Sequence, residues 1–394
     1  MLSWLAPVLV FGLVILVHEI GHFVAAKAFG VYAPRFSIGF GPAIWRRRRG
    51  ETEYVIGLLP LGGYVRMASR EDSATALLEG GKEAKTSEPT SGDSLTGPES
   101  RSDWDPEAMV PFGPKPVPKD RWFESKPLWA RLIILLAGVA MNVVLAVLAS
   151  SGVFAMYGRP YAVTVVDSVV PGWPAASAGL LRGDSILAID GRAVRSWAEL
   201  TEAVSASAGR EVRLTIVRDG ATLQVPVVPR PSIDTNLVTG RAQEVGRIGV
   251  LPASRVERLG PLRALAAGWE RTWSTAGLVL RVVGGLLTGE VPVSQLGGPI
   301  AIARTSVAAA RGGLATLFGL IAFLSINVAV LNLLPIPILD GGQVLLNIAE
   351  AIKGSAFSAR TREYIMRAGL LAIALLFVLV MFNDLKGLFK VFDR

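Results

Sequence analysis

The chain has no cysteine, only two histidines, and charge on just 18% of its 394 residues, against 51% that are hydrophobic. Without thiols there is no disulfide and no thiolate ligand, so a metal site here can be built only from nitrogen and oxygen donors. So little charge, with a mean hydropathy of +0.46, excludes an ordinary soluble protein, and the length exceeds one compact unit. What remains is a multi-pass membrane protein with extramembrane domains. The net charge of +8 sits largely beside apolar runs, which marks topology and lipid anchoring and not a nucleic-acid patch.

Four apolar runs approach the ~20 residues that cross a hydrocarbon core of about 30 Å: Trp4 to Phe29, Leu128 to Tyr157, Leu314 to Leu334 and Ile365 to Phe382. They place one membrane helix in each of the segments 1–30, 128–157, 314–340 and 365–384. The first could pass for a signal peptide, but Met1-Leu2-Ser3 lacks a basic leader, so it reads as a retained helix. Arg46 to Arg49, Arg66, Arg70, Lys126 and Arg131 lie between the first and second runs, and Lys353, Arg360, Arg362 and Arg367 between the third and fourth. Both connections are therefore expected in the cytoplasm, with Met1 and Arg394 outside. Lys386, Lys390 and Arg394, after the last run, go against that bias.

The two histidines stand four residues apart in His18-Glu19-Ile20-Gly21-His22, inside the first run and hence on one face of a helix. Neutral imidazoles one turn apart can take two corners of a tetrahedral Zn²⁺, and Glu19 can take the proton from an attacking water. That is the hydrolytic core of a zinc metalloprotease. An H-E-x-x-H string also arises by chance, but an acidic residue at membrane depth costs roughly 2.5 kcal/mol or more, so such clusters usually serve a site. A third protein ligand is needed, and a carboxylate is the remaining common choice. Asp340 is the candidate. It lies in Asn332-Leu333-Leu334-Pro335-Ile336-Pro337-Ile338-Leu339-Asp340-Gly341-Gly342, where prolines break the third helix and glycines allow close backbone packing. On the topology above, the ends of the first and third runs reach the same membrane face.

Between these runs the composition changes. Residues 31–70 carry glycines and prolines that separate short β-type runs such as Glu53-Tyr54-Val55-Ile56, and read as membrane-associated β-hairpins. Residues 71–120, rich in Ser, Gly, Pro, Glu and Asp, read as a disordered cytoplasmic insertion. Residues 161–230 read as a separate, mostly β unit. Its expected strands are Ala162 to Val166, Ser185 to Ile189, Glu211 to Arg218 and Thr222 to Val228, with a helix Trp197 to Ser205 and turns at Asp190-Gly191 and Asp219-Gly220. Its PAASAGLLRGDSILAIDGRAV series resembles a bacterial-type PDZ domain, which implies either capture of extended peptides by β-addition or a steric gate. Residues 261–307 mix apolar and basic positions and read as an interfacial amphipathic segment.

Taken together, HEIGH, NLLPIPILDGG, RFSIGFGP, PLGGYVRM and GGPI resemble the motifs of the site-2 protease family of intramembrane zinc metalloproteases, in the family's order. The likeness is to the bacterial regulators of sigma-factor signalling that carry a PDZ domain between spans two and three. It covers nearly the whole chain outside the insertion. It implies His18, His22 and Asp340 as zinc ligands, Glu19 as general base and proton shuttle, and Asn332 as a contact to the substrate backbone. The family's G-P-x-x-N pattern in the second span is here Gly138-Val139-Ala140-Met141-Asn142, without its proline. Asn142 is accordingly expected either to face substrate or to make an interhelical hydrogen bond worth on the order of 1 kcal/mol. Only one PDZ domain is recognisable, although some relatives carry two.

The expected architecture is thus a polytopic α-helical membrane protein with about four transmembrane helices, a membrane-associated β-hairpin region and one extracytoplasmic PDZ domain. The expected activity is hydrolysis, with Zn²⁺, of peptide bonds in transmembrane segments that must first unwind, because a membrane helix hides its bonds. An edge strand around Gly57 to Val65, including Gly62 and Gly63, would pair with the extended substrate, the alternative being a simple membrane anchor. Expected substrates are single-span proteins trimmed by an upstream site-1 type protease, such as an anti-sigma factor, or remnant signal peptides. The expected location is the bacterial inner membrane, with the active site toward the cytoplasm. Two other classes compete: a zinc transporter, which would line a path with several metal residues, and a non-catalytic PDZ scaffold, which could lose Glu19 without consequence.

Overall fold

Each apolar run forms a helix long and apolar enough to cross a membrane: Ala6–Ala28, Leu128–Tyr157, Leu314–Asn332 and, within a longer helix, Arg360–Lys386. The computed structural model describes residues 5–69, 117–235, 242–293 and 296–392. In chain order the elements are α1 (Ala6–Ala28), β1 (Arg35–Arg49), β2 (Thr52–Arg66), α2 (Leu128–Tyr157), β3 (Arg159–Val169), α3 (Pro174–Ser177), β4 (Ser185–Ile189), β5 (Arg192–Ala193) and α4 (Trp197–Ser205). There follow β6 (Val212–Arg218), β7 (Ala221–Val227), β8 (Arg230–Thr235), β9 (Ala242–Arg247), β10 (Val250–Glu257), α5 (Pro261–Thr288), α6 (Pro299–Arg311), α7 (Leu314–Asn332), α8 (Asp340–Lys353) and α9 (Ala359–Phe392). They divide into one unit of residues 1–150, 271–276 and 296–394, and a second of residues 151–270 and 277–295.

In the first unit, helices pack through small residues, as helices lacking a hydrophobic drive to associate must. A Cβ on Gly21 of α1 would lie 2.3 Å from the Ala137 carbonyl oxygen and 2.9 Å from Gly138 Cα, so α1 and α2 meet backbone to backbone. Beside this contact, Val10, Val14, Ala149, Ile321, Ala322 and Leu324 form a buried cluster joining α1, α2 and α7. On α9, by contrast, Leu371, Leu375, Phe377 and Val378 are exposed. The long hairpin β1–β2 folds across itself. Arg35–Ile38 lies against both Glu53–Ile56 and Gly63–Arg66, while Arg46–Arg49 pairs with Thr52–Val55, which puts the Gly63–Arg66 segment at one margin of the ladder.

The second unit is built on a sheet of order β10-β3-β4-β6-β7, with β5 paired to β4. Its core is Val166, Leu180, Ile186, Leu200, Val204, Leu214, Ile216 and their neighbours. The two Asp-Gly turns have both residues at positive φ, Asp190 at 48° with Gly191 at 77° and Asp219 at 51° with Gly220 at 83°, as two-residue hairpins require. Helix α4 begins at Ser196, whose hydroxyl accepts from the Glu199 N–H, and Glu199 returns a bond to the Arg195 N–H. Asp184 is buried and held by Arg218 at 2.7 Å.

Three expected boundaries change. The unit placed at 161–230 extends to Glu257, because β10 completes the sheet by pairing with β3 after the β8–β9 hairpin. The single amphipathic segment placed at 261–307 is two helices: Gly289 ends α5 in a left-handed conformation, with φ of 76°, and Pro299 opens α6. The insertion placed at 71–120 lies outside the described residues as far as 116, but its last residues belong to the fold. There, Lys119–Arg121 forms a 3-10 turn, Arg121 bonds both carboxylate oxygens of Glu51, and the Tyr32 backbone N–H donates to the Arg121 carbonyl.

Candidate metal centre

One turn of α1 presents His18 and His22 side by side, and the loop after α7 returns Asp340 to meet them as the first residue of α8. The loop is tight. A Cβ on Gly341 would lie 2.3 Å from the Leu333 carbonyl oxygen, and one on Gly342 would lie 2.1 Å from that of Ile336, so only glycine lets the chain fold back there. A carboxylate in the first turn of a helix is also favoured by the helix dipole.

The two Nε2 atoms are 3.1 Å apart. Asp340 Oδ2 is 3.2 Å from His18 Nε2, and Oδ1 is 3.5 Å from His22 Nε2. A tetrahedron with zinc–ligand arms of about 2.0–2.1 Å has edges near 3.3 Å. Asp340 Oδ2 is buried and completes no hydrogen bond among the described residues. Two nitrogens and a carboxylate converging at these separations, with an orphaned acceptor among them, fit a divalent zinc ion. They are also the residues that group together as candidate metal ligands.

Behind the histidines lies one face of α2. His22 Nδ1 donates to the Ile134 carbonyl at 2.8 Å, and His18 Nδ1 is 3.3 Å from the Asn142 side-chain amide. Between them a Cβ on Gly138 would stand 2.4 Å from His22 Nε2 and 2.8 Å from His18 Cε1. Asn142 is fully buried, and its carbonyl accepts from Ser325 Oγ at 2.8 Å.

On the other side the β hairpin reaches Glu19. The Val65 N–H bonds the Glu19 carboxylate, and the Cβ position of Gly63 is 3.2 Å from Glu19 Cγ. Gly62 is not turned to this site. Its φ is 109°, and a Cβ there would meet the Phe40 ring at 2.2 Å, so Gly62 makes the bend that brings Gly63 in. Asn332, at the end of α7, places its amide nitrogen 3.2 Å from His18 Nε2. His18, Glu19, His22, Asn332, Asp340 and Gly63 are therefore brought together, with Asn142 behind His18.

Several supporting residues carry no sequence signal. Glu350 of α8 is buried, and its carboxylate bonds Arg362 of α9 at 2.6 and 3.0 Å and accepts from the Phe357 N–H at 2.7 Å. Arg131 of α2 donates to Asn347 at 2.8 Å. Asp384 accepts from the N–H groups of Gly298, Ile300 and Ala301, capping α6 from the last helix. No spacing rule pairs positions so far apart.

The model of peptidase family M50 matches residues 6–377. Metalloprotease MmpA of Caulobacter vibrioides is 33% identical over 397 residues, covering 96% of this chain and 94% of its own. Regulator of sigma-W protease RasP of Bacillus subtilis is 30% identical over 423 residues, with 98% of each chain covered. Zinc metalloprotease RasP of Bacillus licheniformis is 31% identical, covering 98% of this chain and 99% of its own. Because the match spans α1, α2, α7 and α8, which surround the converging histidines and carboxylate, the chain belongs to peptidase family M50, the site-2 proteases, and is a zinc metalloprotease.

Proposed function

We propose that the protein cuts transmembrane segments of single-span membrane proteins already trimmed on their outer side, with His18, His22 and Asp340 holding Zn²⁺ and Glu19 moving the proton. The observation that carries this is the meeting of these three donors with Glu19 and the Gly63–Arg66 margin of the hairpin, beside helices long enough to span a membrane. Zinc bound there supplies Lewis acidity toward the scissile carbonyl and the attacking water. Glu19 takes a proton from that water and returns it to the departing amide nitrogen, a role that contributes about 10²–10⁴-fold in rate. The Val65 N–H keeps the Glu19 carboxylate aimed. A helical substrate offers no free carbonyl, so it must open, and the strand margin at Gly63 supplies backbone partners for the opened stretch. The Asn332 amide, beside the ligand cluster, donates to the same stretch.

In this reading the active site faces the cytoplasm of a bacterial inner membrane and the PDZ-like unit lies outside, which the arginine-rich connections support. In that unit β10 forms one end of the sheet. A cleft of about 400 Å³ runs beside α4 and β10, lined by Trp173, Trp197, Leu200, Val204, Ile248 and Val250. Its apolar floor beside the sheet's end strand suits the end of a trimmed polypeptide. Anti-sigma factors are one substrate class of this kind, in keeping with the sigma-W regulator name borne by one relative, and remnant signal peptides are another.

The test is cleavage of a model single-span substrate, shortened on its outer side, by purified wild type and Glu19→Gln with zinc quantified in each. Chelator-sensitive cleavage by wild type alone, with zinc retained by both, is expected. Near-normal cleavage by Glu19→Gln would remove the proton-shuttle assignment.

A further inference from the structure

We propose that Asn142 is a positioning residue for the metal centre: its side-chain oxygen accepts the Nδ1–H of His18 and so holds that imidazole in the tautomer whose Nε2 is free to ligate. The inference rests on the zinc-ligand reading of His18 and deepens it.

A neutral imidazole carries one N–H, and the nitrogen that ligates must offer a lone pair. His18 and His22 both turn Nε2 toward Asp340, so both protons belong on Nδ1. For His22 the acceptor is plain, since its Nδ1 lies 2.8 Å from the Ile134 carbonyl oxygen. For His18 the group facing Nδ1 is the Asn142 amide at 3.3 Å, placed with its nitrogen toward the ring, while its own oxygen is buried without a hydrogen-bond partner among the described residues. An N–H cannot donate to an amide N–H₂. A half-turn of the amide, whose two ends are nearly the same size, replaces that clash of donors with a hydrogen bond. Either orientation leaves one amide atom unpaired, so the contact with His18 decides between them.

The setting supports the same assignment. Asn142 is fully buried on the side of His18 away from Nε2, and Ser325 holds its backbone, so a substrate would have to displace the ligand to reach it. Ile134, Gly138 and Asn142 recur at four-residue intervals on one face of α2. One supplies a carbonyl, one supplies empty space and one supplies an amide. A neutral amide does for His18 what a carboxylate does in many metal sites, without a second buried charge at membrane depth.

The experiment measures zinc affinity by chelator competition in the purified full-length protein, together with the visible absorption of its Co²⁺-substituted form. The variants are Asn142→Leu, which keeps bulk but accepts nothing, and Asn142→Asp, which keeps an acceptor. Loss of such a partner lowers metal affinity by about 10–100-fold, so Asn142→Leu is expected to fall by that factor with shifted Co²⁺ bands. Asn142→Asp is expected to stay near wild type. If Asn142→Leu does not fold, Asn142→Ala compared with Asn142→Asp makes the same test. Wild-type affinity and bands in the variant without an acceptor, or equal damage from Asp and Leu, would overturn the role. Unchanged affinity with only a raised KM would give Asn142 to the substrate instead. A wild type that binds no zinc would remove the metal centre itself, and this role with it.

Discussion

His22 and Gly138 meet so closely that a methyl group does not fit between α1 and α2, since a Cβ at 138 would stand 2.4 Å from His22 Nε2 and 2.8 Å from His18 Cε1. Gly138→Ala should therefore push both ligands off their positions while leaving helix propensity improved. The expected outcome is loss of bound zinc, read by metal analysis of the purified protein, with the helical content unchanged. Retained zinc would mean that α2 can back away. Asn332→Ala is a different case. Its amide is beside the cluster and not beneath it, so zinc should stay while kcat falls by about 10²–10³, as when one donor to developing charge is removed. His18 and His22 were legible in the sequence because helical periodicity puts them on one face, and Glu19 because it directly follows the first of them in the motif. Asp340 was legible by the chemistry it completes. Gly138 was legible only as the glycine of a family pattern and not as the space behind the histidines, and the Ile134 carbonyl was not legible at all, because their partners sit over 100 positions away and a backbone oxygen leaves no mark in a sequence.

At the level of elements, α8 is what delivers Asp340, and α8 is pinned to α9 by Glu350. Burial alone would raise the Glu350 carboxyl, but the Arg362 bonds, the Phe357 N–H and the charges of Arg362 and Arg131 outweigh it and hold the group below its ordinary range. A carboxylate depressed in the folded state stabilises above its unfolded value of about 4.3 and loses that contribution as pH falls through the lower folded value. Glu350→Gln should thus lower thermal stability at neutral pH by about 1–3 kcal/mol, the cost of leaving buried partners unsatisfied, and the deficit against wild type should shrink below pH ~4. A deficit independent of pH would assign the effect to shape and not to charge. Element types were largely readable: Asp-Gly turns, the helix at Trp197 to Ser205 and the four apolar helices follow from local pattern. The β10 strand was missed because it closes the sheet after an intervening hairpin, a pairing set by tertiary fit. The turn at Gly297-Gly298-Pro299-Ile300 was readable, but Gly289 was not recognised as the end of a helix, since its stop depends on a left-handed conformation and not on composition.

For the whole molecule, the proposed function asks that the PDZ-like unit and the membrane helices impose separate conditions on a substrate. If trimming is required, a single-span substrate with its outer domain intact should be cut much more slowly than the shortened form under the same detergent conditions, and equal rates would remove the requirement. A side chain filling the cleft tests the seat directly. Thr201 lines it and is exposed, so Thr201→Trp should raise KM for a trimmed substrate without lowering kcat if a peptide end sits there, and should leave KM unchanged if the unit only screens by size.

Asp384 of α9 holds the first turn of α6 through three N–H groups. Helix α6 in turn packs against α1, which carries both histidines. Shortening the protein to a point before 384 would release that turn and loosen the support of α1, even though no ligand comes from the removed stretch. Helix α9 is therefore a brace for the metal centre and no dispensable anchor.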